Sequence, residues 1–200
     1  MNKLGRFIAG IGFAIVTVSF AWPDGAEYIG ADACKICHNK ATEGAPYKKW
    51  TETKHAHAFQ LLQSDPAKQV AAKVGFTTPP HESAECLKCH VTGYDPATKS
   101  APAKILPILG VQCETCHGPG SEHAAEAKKY QLTKGKSGAV APMFVRPTKD
   151  VCVKCHSDAG PTWDPERFTL PDGTKTGFDF EFLYPNIDHP NPMKPRKPAH

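Results

Sequence analysis

The pattern Cys-x-x-Cys-His occurs four times in this chain, at Cys34/Cys37/His38, Cys86/Cys89/His90, Cys113/Cys116/His117 and Cys152/Cys155/His156. Nothing else in the sequence constrains the fold so strongly. Two cysteines at this spacing can form thioether bonds to the two vinyl groups of one haem. The histidine that follows then lies under the ring and ligates the iron from the proximal side. Four copies predict four covalent haem c groups, anchored by the eight cysteines, with His38, His90, His117 and His156 as iron ligands.

Two plainer chemistries compete. Paired C-x-x-C units can build a structural zinc site, and exported cysteines can pair as disulfides. Neither requires a histidine directly after the second cysteine. Histidine fills 10 of 200 positions, so four chance placements have odds of roughly six in a million. The four motifs also consume all eight cysteines. Haem attachment is the reading that accounts for both facts.

The chain opens with a short basic stretch carrying Lys3 and Arg6, then an apolar run from Phe7 to Phe20, with Ser19-Phe20-Ala21 at a cleavage spacing. That is the plan of a secretory signal peptide over residues 1–21. The run is shorter than the ~20 residues of a membrane span, so no stable span is expected. Export is what c-type haem attachment requires in bacteria. The periplasm is the expected location, with the extracellular side as the alternative. Cleavage would remove two bases and no acid, taking the net charge from +4 to +2. Four haems would add about eight propionate charges, partly offset by ferric iron, so the pI of 8.6 says little about partners. The lysines are scattered along the sequence and no nucleic-acid-binding motif is present, so nucleic acid is not an expected ligand.

Fold class follows from the same motifs. The expected architecture is mainly α with extensive irregular loops, a multihaem fold over residues 22–189 packed around four covalent haems that replace much of the usual core. Ala45 to Gln63 reads as one amphipathic helix with Tyr47, Trp50, Ala58, Leu61 and Leu62 on one face. His55 and His57 flank that face roughly 200° apart and cannot serve the same iron. A second helix starts at Asp65-Pro66, with the aspartate as cap, and stops at Gly75. A third runs from a Ser121 cap to about Gln131 and carries His123 in its first turn. Residues 134–147 read as a loop. The aromatic run Phe178 to Tyr184 is suited to covering a haem face. Residues 190–200 read as a proline- and lysine-rich flexible tail. Motif starts lie 52, 27 and 39 residues apart, so no solenoid repeat is expected.

The group opposite each proximal histidine decides the function: a second strong ligand suits electron transfer, and an open position permits small-molecule chemistry. Outside the motifs stand His55, His57, His81, His123, His189 and His200, while Met143 and Met193 are the only methionines after the signal segment. Mostly bis-histidine ligation is expected.

The chain also resembles the cytochrome c-554 family over roughly residues 28–158. The resemblance is carried by Tyr28-x-Gly30, the first motif, Trp50-x4-His55-Ala56, Cys86-Leu-Lys-Cys-His-Val-Thr-Gly93 and the block Gly110 to Gly120. It implies three bis-histidine haems and one, at His90, with an open position. By the same resemblance His55 looks like the partner of His117, His123 of His38, and His189 of His156. His81, His57 and His200 remain as candidates for a sixth ligand at His90.

Three functions fit these expectations. One is an electron carrier passing single electrons between redox partner proteins. Another is a reductase or oxidase of a small nitrogen compound at the haem of His90. The third is a subunit of an extracellular cytochrome filament, self-assembled into an oligomer.

Overall fold

Three of the four attachment motifs fold as a short helix and the fourth as the turn that follows one, so that Cys, Cys and His at positions i, i+3 and i+4 share one face. In the computed structural model, which describes residues 25–136 and 147–192, these are α1 (Ala31–His38), α5 (Ala84–His90), α6 (Cys113–His117) and the turn α8 (Lys149–Cys152) leading into the fourth motif. Between them lie α2 (Pro46–Thr51), α3 (Ala58–Leu62), α4 (Asp65–Lys73) and α7 (Ser121–Leu132); α9 (Phe180–Leu183) follows the last motif. The strands described are β1 (Phe168–Thr169) and β2 (Lys175–Thr176), an antiparallel hairpin with Phe168 opposite Thr176. The architecture is thus mainly α with long irregular connections. The expected signal segment, Met143, Met193 and His200 lie outside the described residues. No helix among the described residues is long and apolar enough to cross a membrane.

The helix expected over 45–63 is two helices, with turns across 52–57. The cause is tertiary. The His55 carbonyl accepts from the Val111 amide at 2.9 Å, and the Trp50 indole donates to the Val111 carbonyl at 2.8 Å. Gly110 permits this approach: its φ is +61°, and a Cβ there would meet the His55 carbonyl oxygen at 2.6 Å. Ala58 and Leu62 are buried as expected, whereas Leu61 is exposed. The caps also differ from expectation. Ser64, not Asp65, caps α4 by accepting from the Ala67 amide. Ser121 is the first residue of α7, and its hydroxyl accepts from the Glu27 amide at 2.8 Å instead of capping the helix.

The apolar core is small: Leu62, Leu87, Val91 and Ile105, with Tyr28, Phe59 and Tyr94 packed against it. It lies where α3 meets α5 and the 3-10 turn Pro107–Leu109. Polar contacts hold the remainder. Gly30, at φ +82°, starts α1 within 2.6 Å (from its Cβ position) of the Lys104 carbonyl, so only glycine fits. At the other end of the chain, the Pro190 carbonyl rests against Gly44, bringing His189 back beside the first motif.

Candidate haem centres

All eight motif cysteines are partly buried and unpaired. Their thiols stand where thioether sulfurs would be in the haem-loaded protein. Cys34 and Cys113 hydrogen-bond to each other, as do Cys89 and Cys155. Those contacts, helped by burial, hold the Cys113 and Cys155 thiols well above the usual thiol range. Cys116 lies close enough to Cys152 to be influenced by it. The motifs therefore lie in space in the order first, third, fourth, second, unlike their order in the sequence.

The histidines fall into two groups. His117, within α6, feels His189, His38 and His123 around it; burial first, and then these neighbours, lower its pKa to about 4. His55 lies near His156 and His90, and burial first, then those two rings, push its pKa down. Burial likewise lowers His38 and His156. Rings held neutral keep a nitrogen lone pair for a metal.

Three motif histidines each face one histidine from outside the motifs. His38 and His123 have centroids 6.0 Å apart with planes at 23°. His117 and His189 are 5.8 Å apart at 57°. His55 and His156 are 6.0 Å apart at 71°. Two metal–nitrogen bonds of about 2 Å, plus the distance from each nitrogen to its ring centre, total roughly 6 Å. Each gap therefore fits one iron held axially. Among the described residues no group of three or more His, Cys, Asp or Glu is arranged to hold a metal ion. Paired imidazoles suit an iron whose other four bonds come from a porphyrin.

His123 faces His38, as the resemblance implies. The other two pairs are exchanged relative to it: His55 faces His156 rather than His117, and His189 faces His117 rather than His156. The reason lies in the two tethers. Val111 binds the segment carrying His55, and the contact of Pro190 with Gly44 returns His189 to the cluster of the first and third motifs.

His90 has no second histidine ring across from it among the described residues. Its Nδ1–H donates to the Ala58 carbonyl at 2.7 Å, which leaves Nε2 as the ligating atom. His189 is oriented in the same way, with Nδ1 at 2.9 Å from the Ile187 carbonyl. His57 is at the surface, with Nε2 3.0 Å from the Thr51 carbonyl and Nδ1 2.9 Å from the Gln60 amide. His81 Nδ1 is buried without a hydrogen-bond partner, and its Nε2 lies 3.5 Å from Glu82. The Phe178 ring, at the start of the aromatic run, stacks on that of His156 with centroids 5.1 Å apart and planes at 16°.

Sequence reasoning missed Glu114, Gln112 and Thr92, all fully buried. The Glu114 carboxylate accepts from the amides of Ile29 (2.9 Å), Gly30 (2.8 Å) and Gly120 (2.8 Å). The Gln112 side chain accepts from Ala31 N–H and donates to the Leu106 carbonyl. The Thr92 hydroxyl, 2.7 Å from that of Thr115, accepts from the Gln112 amide. Together they clasp the start of α1 and the end of α5 to α6. The available signal was their place inside the resembling blocks; polar side chains beside a motif otherwise read as surface.

The family described as "Cytochrome c554 and c-prime" matches residues 33–118. Cytochrome c-554 of Nitrosomonas europaea is 30% identical over 120 residues, covering 58% of this chain and 49% of that protein. Multiheme cytochrome MtrA of Shewanella baltica is 30% identical over 91 residues, covering 40% of this chain and 25% of that protein. The chain thus spans half or less of the length of these curated relatives. The solved reduced state of cytochrome c554 from Nitrosomonas europaea aligns at a TM-score of 0.48 and 24% identity, covering 80% of this chain and 78% of that one. The attachment motifs, with the family and curated matches, point to the class of multihaem c-type cytochromes. More particularly, over residues 33–118 the chain is similar to the cytochrome c554 and c-prime family.

Proposed function

We propose that this is an exported, periplasmic tetrahaem cytochrome that carries single electrons between redox partner proteins. One observation carries the reading: three motif histidines each face one outside histidine across a gap of 5.8–6.0 Å. Haem c, when bound, supplies a one-electron ferric/ferrous couple. The chain's part is to tether, ligate and shield it. Each Cys-x-x-Cys pair would anchor one haem. His38 with His123, His117 with His189 and His156 with His55 would fill both axial positions of three irons. Closed positions leave no place for a substrate, which suits transfer rather than bond chemistry. The contacts Cys34–Cys113 and Cys89–Cys155, with Cys116 near Cys152, support a relay whose two ends are the first and second motifs.

His90 favours a second property at the far end. It would ligate from one side, with no histidine opposite among the described residues, so that iron would accept a small diatomic ligand.

Low-temperature electron paramagnetic resonance of the haem-loaded monomer tests both points. Three low-spin irons and one high-spin iron are expected, with carbon monoxide perturbing only the last after reduction. Four low-spin irons would remove the open position, and zinc or disulfides in place of haem would remove the whole reading.

A further inference from the structure

Lysines that are scattered in sequence are gathered by the fold around the first motif. Residues 35–40 and 127–136 carry Lys35, Lys40, Lys128, Lys129, Lys134 and Lys136 and no acid. All six are exposed, and none enters an ion pair among the described residues. The two stretches meet where the Gln131 amide lies 3.4 Å from the Cys37 sulfur. Flanking that contact are Ile36, 80% exposed, and Leu132, 75% exposed, the two most exposed large apolar side chains described.

By helix geometry neither would face the haem that its own helix helps to hold. At 100° per residue, Ile36 lies on the side of α1 opposite Cys34, Cys37 and His38, and Leu132 lies half a turn from His123 on α7. Lys128 and Lys129 share the outer face of α7 with Leu132. The position of Ile36 within its motif holds Lys88, Thr115 and Lys154 in the other three, so an exposed apolar residue there is peculiar to the first motif. At the second motif the equivalent Lys88 is neutralised by Glu85 at 2.6 Å.

We propose that this face is the docking surface for a redox protein bearing an acidic patch. This rests on the carrier reading, in which the first motif ends the relay. An apolar centre with a lysine rim is the anatomy of a brief encounter: the rim steers and orients an acidic partner, and Ile36 and Leu132 exclude water at contact. The chain's overall charge would not predict this, because the property is local.

The test uses the haem-loaded protein and reduced flavodoxin, an acidic one-electron donor, in stopped-flow kinetics. The double variant Lys128→Glu/Lys129→Glu should lower the second-order rate by about tenfold at low ionic strength, with the gap closing as salt is added. Ile36→Ala should slow it a few-fold at every salt concentration. The control Lys149→Glu/Lys154→Glu, at the fourth motif, should change it little. Dithionite reduction should be equal in all four proteins and reports the carrier reading separately: haems that dithionite fails to reduce would sink that reading itself. Equal slowing by the control pair would mean that only net charge matters, and would overturn the docking surface. So would an unchanged flavodoxin rate in a Lys128→Glu/Lys129→Glu protein that has lost binding to anionic phospholipid vesicles, an outcome that assigns the face to membranes.

Discussion

Replacing Glu114 separates a structural clasp from a merely tolerated buried acid. In Glu114→Ala the amides of Gly30 and Gly120 lose their acceptor in a buried setting, and that of Ile29 in a partly buried one. Each orphaned buried N–H costs about 1–3 kcal/mol. Two such groups, with the third partly rehydrated, amount to roughly 4 kcal/mol. Glu114→Gln keeps one oxygen, which can serve Ile29 and Gly120 as Oε1 does now, but it turns an amide N–H toward the donor of Gly30. One lost bond predicts about 1–3 kcal/mol. At ~2–4 °C per kcal/mol for a domain of this size, the alanine variant should melt roughly 8–16 °C lower and the glutamine variant should fall between it and the parent. Thermal unfolding of the haem-loaded proteins by far-UV circular dichroism measures this. An alanine variant within about 1 kcal/mol of the parent, or a glutamine variant as damaged as the alanine, would refute the clasp.

Three further outcomes follow from the site. His55→Ala should turn one low-spin haem high-spin, and nuclear Overhauser contacts from the Phe178 ring, which lies against His156, should identify it as the haem of the fourth motif; if His189→Ala does this instead, the pairing found here is wrong. His57→Ala should leave every spin state unchanged, because both its ring nitrogens are engaged at the surface. Burial and neighbouring histidines hold His117 neutral down to about pH 4. Between that value and the ordinary ~6.5 the unfolded chain binds the proton and the folded chain does not, so stability falls as the pH drops through this window. Far-UV circular dichroism of the haem-free chain against pH checks this, and unchanged stability between pH 6.5 and 4 would contradict the burial of His117.

What the sequence determined by itself was the chemistry of attachment. A Cys-x-x-Cys-His unit needs only five consecutive residues on one helical turn, so its geometry is local and follows from spacing. The helix carrying His123 and the aromatic run that meets His156 were legible for the same reason. Everything that required two distant segments to meet was decided by the tertiary structure. The break after Thr51 comes from Val111 taking up the His55 carbonyl, which no helical pattern within 45–63 records. Which outside histidine faces which motif depends on where Val111 and Gly44 hold the chain, and those contacts exchanged the partners of His117 and His156. Glu114 and Gln112 became interior residues only because the backbone amides of residues 29–31 arrived to satisfy them. The lysines of residues 35–40 and 127–136 are nearly a hundred positions apart, and their charges add because α7 ends against Cys37. Hydrogen bonds and electrostatic fields act through space, whereas sequence records only adjacency along the chain.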